Sequence, residues 1–154
     1  MRQFVGSRLM LMPGAQLLLI DHDQRVLLQR RSDMATWEIP AGACEIGSSF
    51  ASTAVNEVAE ETGLKVEERD LVPFGCLSDP EIHVVRYPNG DETHCFAMCF
   101  AATVWSGVLR VDPAEVTEAG FFDMGDLPRP MHRPTATVLD MYARYRATGL
   151  FQAR

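Results

Sequence analysis

Residues 42–64 contain no lysine and no arginine, although four glutamates fall there, three of them at Glu57, Glu60 and Glu61. Positive charge is thin elsewhere too: the formal net charge is −7 and no segment is rich in lysine or arginine. Extended nucleic acids and anionic membrane surfaces are bound by clustered basic side chains, so neither is an expected partner. A small molecule carrying phosphate is not excluded, because a bound cation reverses the local field. No apolar run reaches the roughly eighteen residues that cross a bilayer. Repeats, low-complexity tracts and linkers are missing as well, so residues 1–154 read as one domain.

The four cysteines lack CxxC spacing and a nearby histidine ligand pattern. Cys44, Cys76, Cys95 and Cys99 have mostly apolar neighbours, and Cys95 and Cys99 fall on one face of a strand. That points to packing as reduced thiols rather than to metal. The opening MRQFVGSRLMLMPGAQLLLID has the outline of a secretion signal, but Arg8 and Pro13 interrupt it and no small-residue cleavage site follows. It reads as the start of the fold, and the cytoplasm is the expected location.

The chain does have a core's worth of apolar side chains, at 47% of its residues. AQLLLID and RVLLQRR are short apolar runs around HDQ, which predicts two strands joined by a tight turn. The second run ends in Arg30 and Arg31, whose side chains point to opposite faces of a strand, so at most one looks into a given cleft. WEIPAGACEIG is strand-like but broken by Pro40, Gly42 and Gly47. A helix is predicted over about residues 49–62, capped by Ser48 or Ser49 and ended by Gly63. Phe50, Ala54 and Val58, with Ala51 and Val55, supply its apolar face. LVPFGCLS reads as a strand, and VVRYPNGDETHCFAMCFAATVW as a long hairpin turning at Asn89 and Gly90. VDPAEVTEAG reads as a polar loop, FFD as a short strand, and residues 134–147 as a closing helix that buries Val138, Met141, Tyr142 and Tyr145. The sum is a mixed α/β domain.

On the first helix Glu57 has Glu60 and Glu61 at i+3 and i+4, so all three carboxylates project to one side. Hard oxygen ligands at close quarters suit Mg2+ or Mn2+. A solvated acidic helix face is the alternative, but such faces are usually laced with lysines, and this one follows a Pro/Gly-shaped loop.

Residues 42–64 resemble the Nudix box, G-x5-E-x7-R-E-U-x-E-E-x-G-U with U a bulky aliphatic. Gly42, Glu57, Val58, Glu60, Glu61, Gly63 and Leu64 match it without gaps. LLQRR, Trp37, Pro40, Glu45 and the late FFDMGDLP fit the same family, so the resemblance runs from about Ala15 to the last helix. It implies an α/β class fold, an α/β/α sandwich with a mixed sheet. The activity implied is hydrolysis of a nucleoside diphosphate linked to another moiety, with Mg2+ or Mn2+ as cofactor. Position by position, it makes Glu57, Glu60 and Glu61 metal ligands, with the backbone carbonyl of Ala41, and gives Glu57 and Glu60 catalytic roles. A general base in a late loop falls on Glu115, with Glu118 the second choice. Arg30 or Arg31, Arg86 with His83, and Trp37 are substrate-side candidates, each with an ordinary structural alternative. His22, His94 and His132 show no partner pattern. Dimerisation is common in the family and is carried over as an expectation.

Two positions depart from the box: Ser48 stands in place of a glutamate and Asn56 in place of the arginine that anchors box carboxylates. Losing an acid and a base together strands no charge, which is gentler than losing either alone. The expectation is a tuned or weakened site that still binds metal. The competing reading is a catalytically silent fold that binds a nucleotide or a protein partner. An isomerase of the same fold lacks a suitable cysteine–histidine setting.

Overall fold

The computed structural model describes residues 9–154. Of the opening segment read as the start of the fold, residues 1–8 lie outside the described residues, and Met10–Leu19 form a strand.

Apolar alternation builds the centre. β1 (Met10–Leu19) runs parallel to β7 (Glu92–Ala102). β4 (Ala41–Ala43) pairs antiparallel on the other edge of β1. β5 (Val72–Leu77) pairs antiparallel with β7 and carries the short parallel β9 (Gln152–Ala153). β6 (Val84–Arg86) joins β7 at its start, which completes a six-stranded mixed sheet. A second sheet of three antiparallel strands has the order β3 (Trp37–Glu38), β2 (Val26–Arg31), β8 (Val116–Phe122).

Successive residues of a strand face opposite ways, and here each way meets a helix. Leu17, Leu19 and Leu27 pack with Ala54 and Val58 of α1 (Phe50–Thr62). Leu18, Ile20, Val26 and Leu28 pack with Val138, Leu139, Met141 and Tyr142 of α3 (Arg133–Thr148). The short α2 (Pro80–His83) and a 3-10 turn at Glu68–Asp70 fill connections. The layers are therefore helix, sheet, helix, the α/β/α arrangement expected. No helix of the described residues is long and apolar enough to cross a membrane.

The helix limits follow their local signals. Ser49 caps α1 by accepting from the Ser52 backbone N–H, and Ser52 returns the bond to the Ser49 N–H, a capping box. Gly63 ends α1 at φ 73°, a conformation that favours glycine. Phe50, expected on the buried stripe, is 39% exposed at the first turn. The turn after β1 is as tight as expected, with the Asp21 N–H donating to the Arg25 carbonyl at 3.0 Å. Its two strands are bridged at Ile20 and Val26 and then part into different sheets.

Two segments depart further from the linear reading. Residues 116–120, read as loop, are most of β8, because pairing with β2 satisfies their backbone although Thr117 and Glu118 stay exposed. The long hairpin exists only over β6, and Gly90 turns it at φ 86°. Most of β7 instead pairs with β1 and β5, and Trp105 lies beyond the strand, stacked on Phe121 at 5.2 Å. Cys95 and Cys99 are buried on one face of β7 and all four thiols are free. Burial pushes the Cys99 thiol up to about 12, so it is an inert packing group.

Candidate active site

The acidic helix face lies against the β4 backbone. Glu57 and Glu61 are one turn apart on α1; Glu61 is 9% exposed, Glu57 half-buried and Glu60 exposed. At Gly42 a Cβ would overlap the Glu57 carboxylate, so the missing side chain leaves the space in which that carboxylate lies against β4.

One face of β2 meets this helix residue by residue. Leu27 packs in the core with Ala54 and Val58; Gln29 and Arg31 follow on the same side. Gln29 is 1% exposed, and its Nε2 donates to Glu61 Oε2 at 2.5 Å. Arg31 forms a two-pronged bond to Asp33, Nε to Oδ1 at 2.8 Å and Nη2 to Oδ2 at 2.6 Å. Its Nε also lies 3.7 Å from Glu38 Oε1.

Two cavities open here and share Arg31, Glu38 and Ala41. The acidic one, about 360 Å³, is bordered by Gln29, Glu61 and Glu115 as well. The other, about 200 Å³, runs between β1, β6 and the start of α3, with Met12, Cys95 and Ile39 on its apolar wall and His83, Tyr87 and His132 among its polar groups.

The electrostatics are those of acids without enough counter-charge. Burial pushes the Glu61 carboxyl up to about 8, against the pull of the Gln29 amide and the Ala41 backbone. Burial, then the charges of Glu60, Glu115 and Glu45, push Glu57 up to about 7. Burial does the same to Glu38, also to about 7, although Arg31 and the Gln29 amide draw it down. His132 Nδ1 stands 3.6 Å from Glu38 Oε2, but burial, His83 and Arg31 hold the imidazole down to about 4. We read that contact as one between a neutral ring and a carboxyl, not as a salt bridge.

The structure therefore brings Glu57, Glu60 and Glu61 to one side of α1, with Ala41 beside Glu61 and Glu115 close enough to act on Glu57. Among the described residues no three acidic, imidazole or thiol side chains already stand gathered tightly enough to hold an ion. The structure sets three substrate-side candidates away from the two cavities. Trp37 is core: it is 5% exposed, packs edge-on against Phe122 at 5.0 Å and borders neither cavity. Arg86 is turned away, paired with Glu92 across the hairpin and 81% exposed at its side chain. Arg30 lies on the opposite face of β2 from Arg31, beside Glu118 on β8, so neither of these two borders a cavity. Ser48 and Asn56 are both exposed. Gln29, Glu38, Tyr87 and His132 were not singled out beforehand. The one visible hint was Gln29 itself, a polar residue inside the apolar run VLLQ.

The chain is similar to known proteins. A 125-residue match to the NAD-capped RNA hydrolase NudC of Actinobacillus succinogenes is 34% identical and spans 81% of this chain but 41% of that protein. A Bacillus subtilis protein provisionally named an 8-oxo-dGTP diphosphatase is 28% identical over 75% of this chain and 68% of its own length. The NUDIX domain of Shewanella oneidensis NrtR, solved with ADP ribose, superposes with a TM-score of 0.69 at 20% identity, over 94% of this chain and 92% of that one, a likeness of fold. The family model described as the NUDIX domain matches residues 10–142, nearly the whole described chain, and the chain belongs to that family.

Proposed function

We propose that the protein is a pyrophosphohydrolase that splits the diphosphate link of a nucleotide-type small molecule with the help of Mg2+ or Mn2+. The observation that carries this reading is the crowding of Glu57, Glu60 and Glu61 on one side of α1, beside a cavity that Glu61 and Glu115 border, with Glu57 and Glu61 pushed up to about 7 and 8. Such a group calls for positive charge, and hard carboxylate oxygens suit a hard divalent cation. Two further features fit one: Gly42 leaves space for the Glu57 carboxylate, and the buried Gln29 Oε1 has no partner.

Glu57, Glu60 and Glu61 would hold the ion, with the Ala41 carbonyl beside them. When bound, such an ion neutralises the diphosphate and lowers the pKa of an attacking water. Glu115, which borders the same cavity as Glu61, would accept the proton that water gives up. Arg31 borders both cavities; Asp33 holds its Nε and Nη2, and its remaining guanidinium N–H groups would meet phosphate oxygens. The neighbouring cavity, with its apolar wall and neutral His132, takes the rest of the substrate. A cytoplasmic location and a homodimer remain expectations of the sequence.

The second reading, a silent module that binds a nucleotide or a partner, draws on the exposed Ser48 and Asn56 and on the ungathered acids. A panel of nucleoside triphosphates, dinucleoside polyphosphates, nucleotide sugars and ADP-ribose, assayed with Mg2+ and with Mn2+, separates the two. We expect metal-dependent release of a nucleotide product from at least one substrate, abolished by Glu61→Gln. Binding of panel members with no turnover of any favours the module and sinks the enzyme.

A further inference from the structure

Gln29 has a job that packing does not explain. The residues before it in β2 are aliphatic, it is 1% exposed, and a side chain of equal volume without polar atoms would fill the space. A buried amide costs free energy unless both ends are bonded, and here only one is: Nε2 donates to Glu61 at 2.5 Å while Oε1 has no partner. Gln29 also borders the acidic cavity. Among the described residues it is the one side chain that hydrogen-bonds Glu57, Glu60 or Glu61, and none of these three pairs with a lysine, arginine or histidine.

We infer that Gln29 is a positioning residue for Glu61, whose carboxylate its amide N–H holds at the cavity from the sheet side. The inference rests on the proposed metal-dependent site and deepens it. Aliphatic packing of Leu27 on Ala54 and Val58 sets the distance between β2 and α1, and the next inward residue, Gln29, spans what is left. A glutamine reaches Glu61; an asparagine, one methylene shorter, does not.

The test is a double-substitution cycle read by Mn2+ titration calorimetry on wild type, Gln29→Met, Glu61→Gln and the double variant, with Tm, kcat and KM alongside. Gln29→Met keeps the volume and removes the donor. We expect it to fold with an unchanged or higher Tm, to lose about tenfold or more in Mn2+ affinity and in kcat, and to leave KM within about twofold. In the double variant the Gln29 substitution should add nothing, because its effect passes through Glu61. Gln29→Asn should show the same loss and carries the test if Gln29→Met does not fold. Wild-type Mn2+ affinity in the folded variant, or losses that add in the double variant, would overturn the inference. So would failure of both variants to fold, which would make Gln29 structural. A wild type that binds Mn2+ but turns nothing over removes the proposed hydrolysis while the affinity cycle still decides the role of Gln29. No Mn2+ binding by wild type overturns both.

Discussion

The Glu57 carboxylate occupies the space that a side chain at position 42 would need, so helix α1 and strand β4 meet at a glycine and an acid. Substituting Gly42 tests that contact directly. Gly42→Ala should displace Glu57, cutting kcat/KM at least tenfold and weakening Mn2+ binding with little change in Tm, because the group it meets is the free end of a flexible side chain. Gly120→Ala is the control: its Cβ would meet only the Phe122 ring, at 3.6 Å, and should change neither Tm nor turnover. Equal effects of the two would show that the close approach at position 42 does not matter.

Arg31 and Arg30 are neighbours in sequence with opposite surroundings. Arg31 borders both cavities, and Arg30 hydrogen-bonds the Ala35 carbonyl at 3.3 Å on the other face of β2. Arg31→Ala is expected to raise KM for the best substrate about tenfold, the loss of one charge-assisted phosphate contact. Arg30→Ala should leave KM and kcat within about twofold. Steady-state kinetics on the two variants decides, and a reversed ranking would contradict the orientation of β2.

Restoring the box charges probes the exposed Ser48 and Asn56. If these positions weaken the site, Ser48→Glu with Asn56→Arg should raise Mn2+ affinity and kcat together, by several-fold or more. Unchanged affinity and turnover in the double variant would make both positions irrelevant to the chemistry.

The turn after β1 carries a pH signature. Burial by itself would raise the Asp21 carboxyl. The Arg25 backbone and side chain and the Asp23 N–H outweigh it and leave the group below its ordinary 3.8. An acid whose folded value is depressed stabilises the fold fully above its unfolded value, and that stability is lost as the pH falls through the folded value. Asp21→Asn should therefore lower Tm by a few degrees at pH 6–7, corresponding to about 1–2 kcal/mol. The gap to wild type should close below pH 3.8. Thermal melts from pH 3 to pH 7 check this, and a gap that widens toward low pH would refute it.

How legible the site was depends on how local its causes are. The α1 limits were readable because Ser49 and Gly63 act on backbone groups within one turn of themselves. The crowding of Glu57, Glu60 and Glu61 was readable for the same reason, since the helix repeat alone puts them on one side. Residues 116–120 were misread because their polar pattern has no strand period. They are extended only because β2 offers them a ladder. Trp37 could serve a base but read more readily as core, and its packing on Phe122, far away in the chain, decides for the core.

The amino-acid sequence by itself determined the acidic helix, its caps, the glycine at position 42 and the alternating apolar strands, because each is set by spacing within a few residues. Only the tertiary structure decided that Gln29 grips Glu61, that Glu38 and Glu115 wall the same cavity, and that Arg31 rather than Arg30 borders it. Those contacts join segments separated by long stretches of chain. They exist only once the packing of β2 against α1 and β8 sets both their distance and their facing.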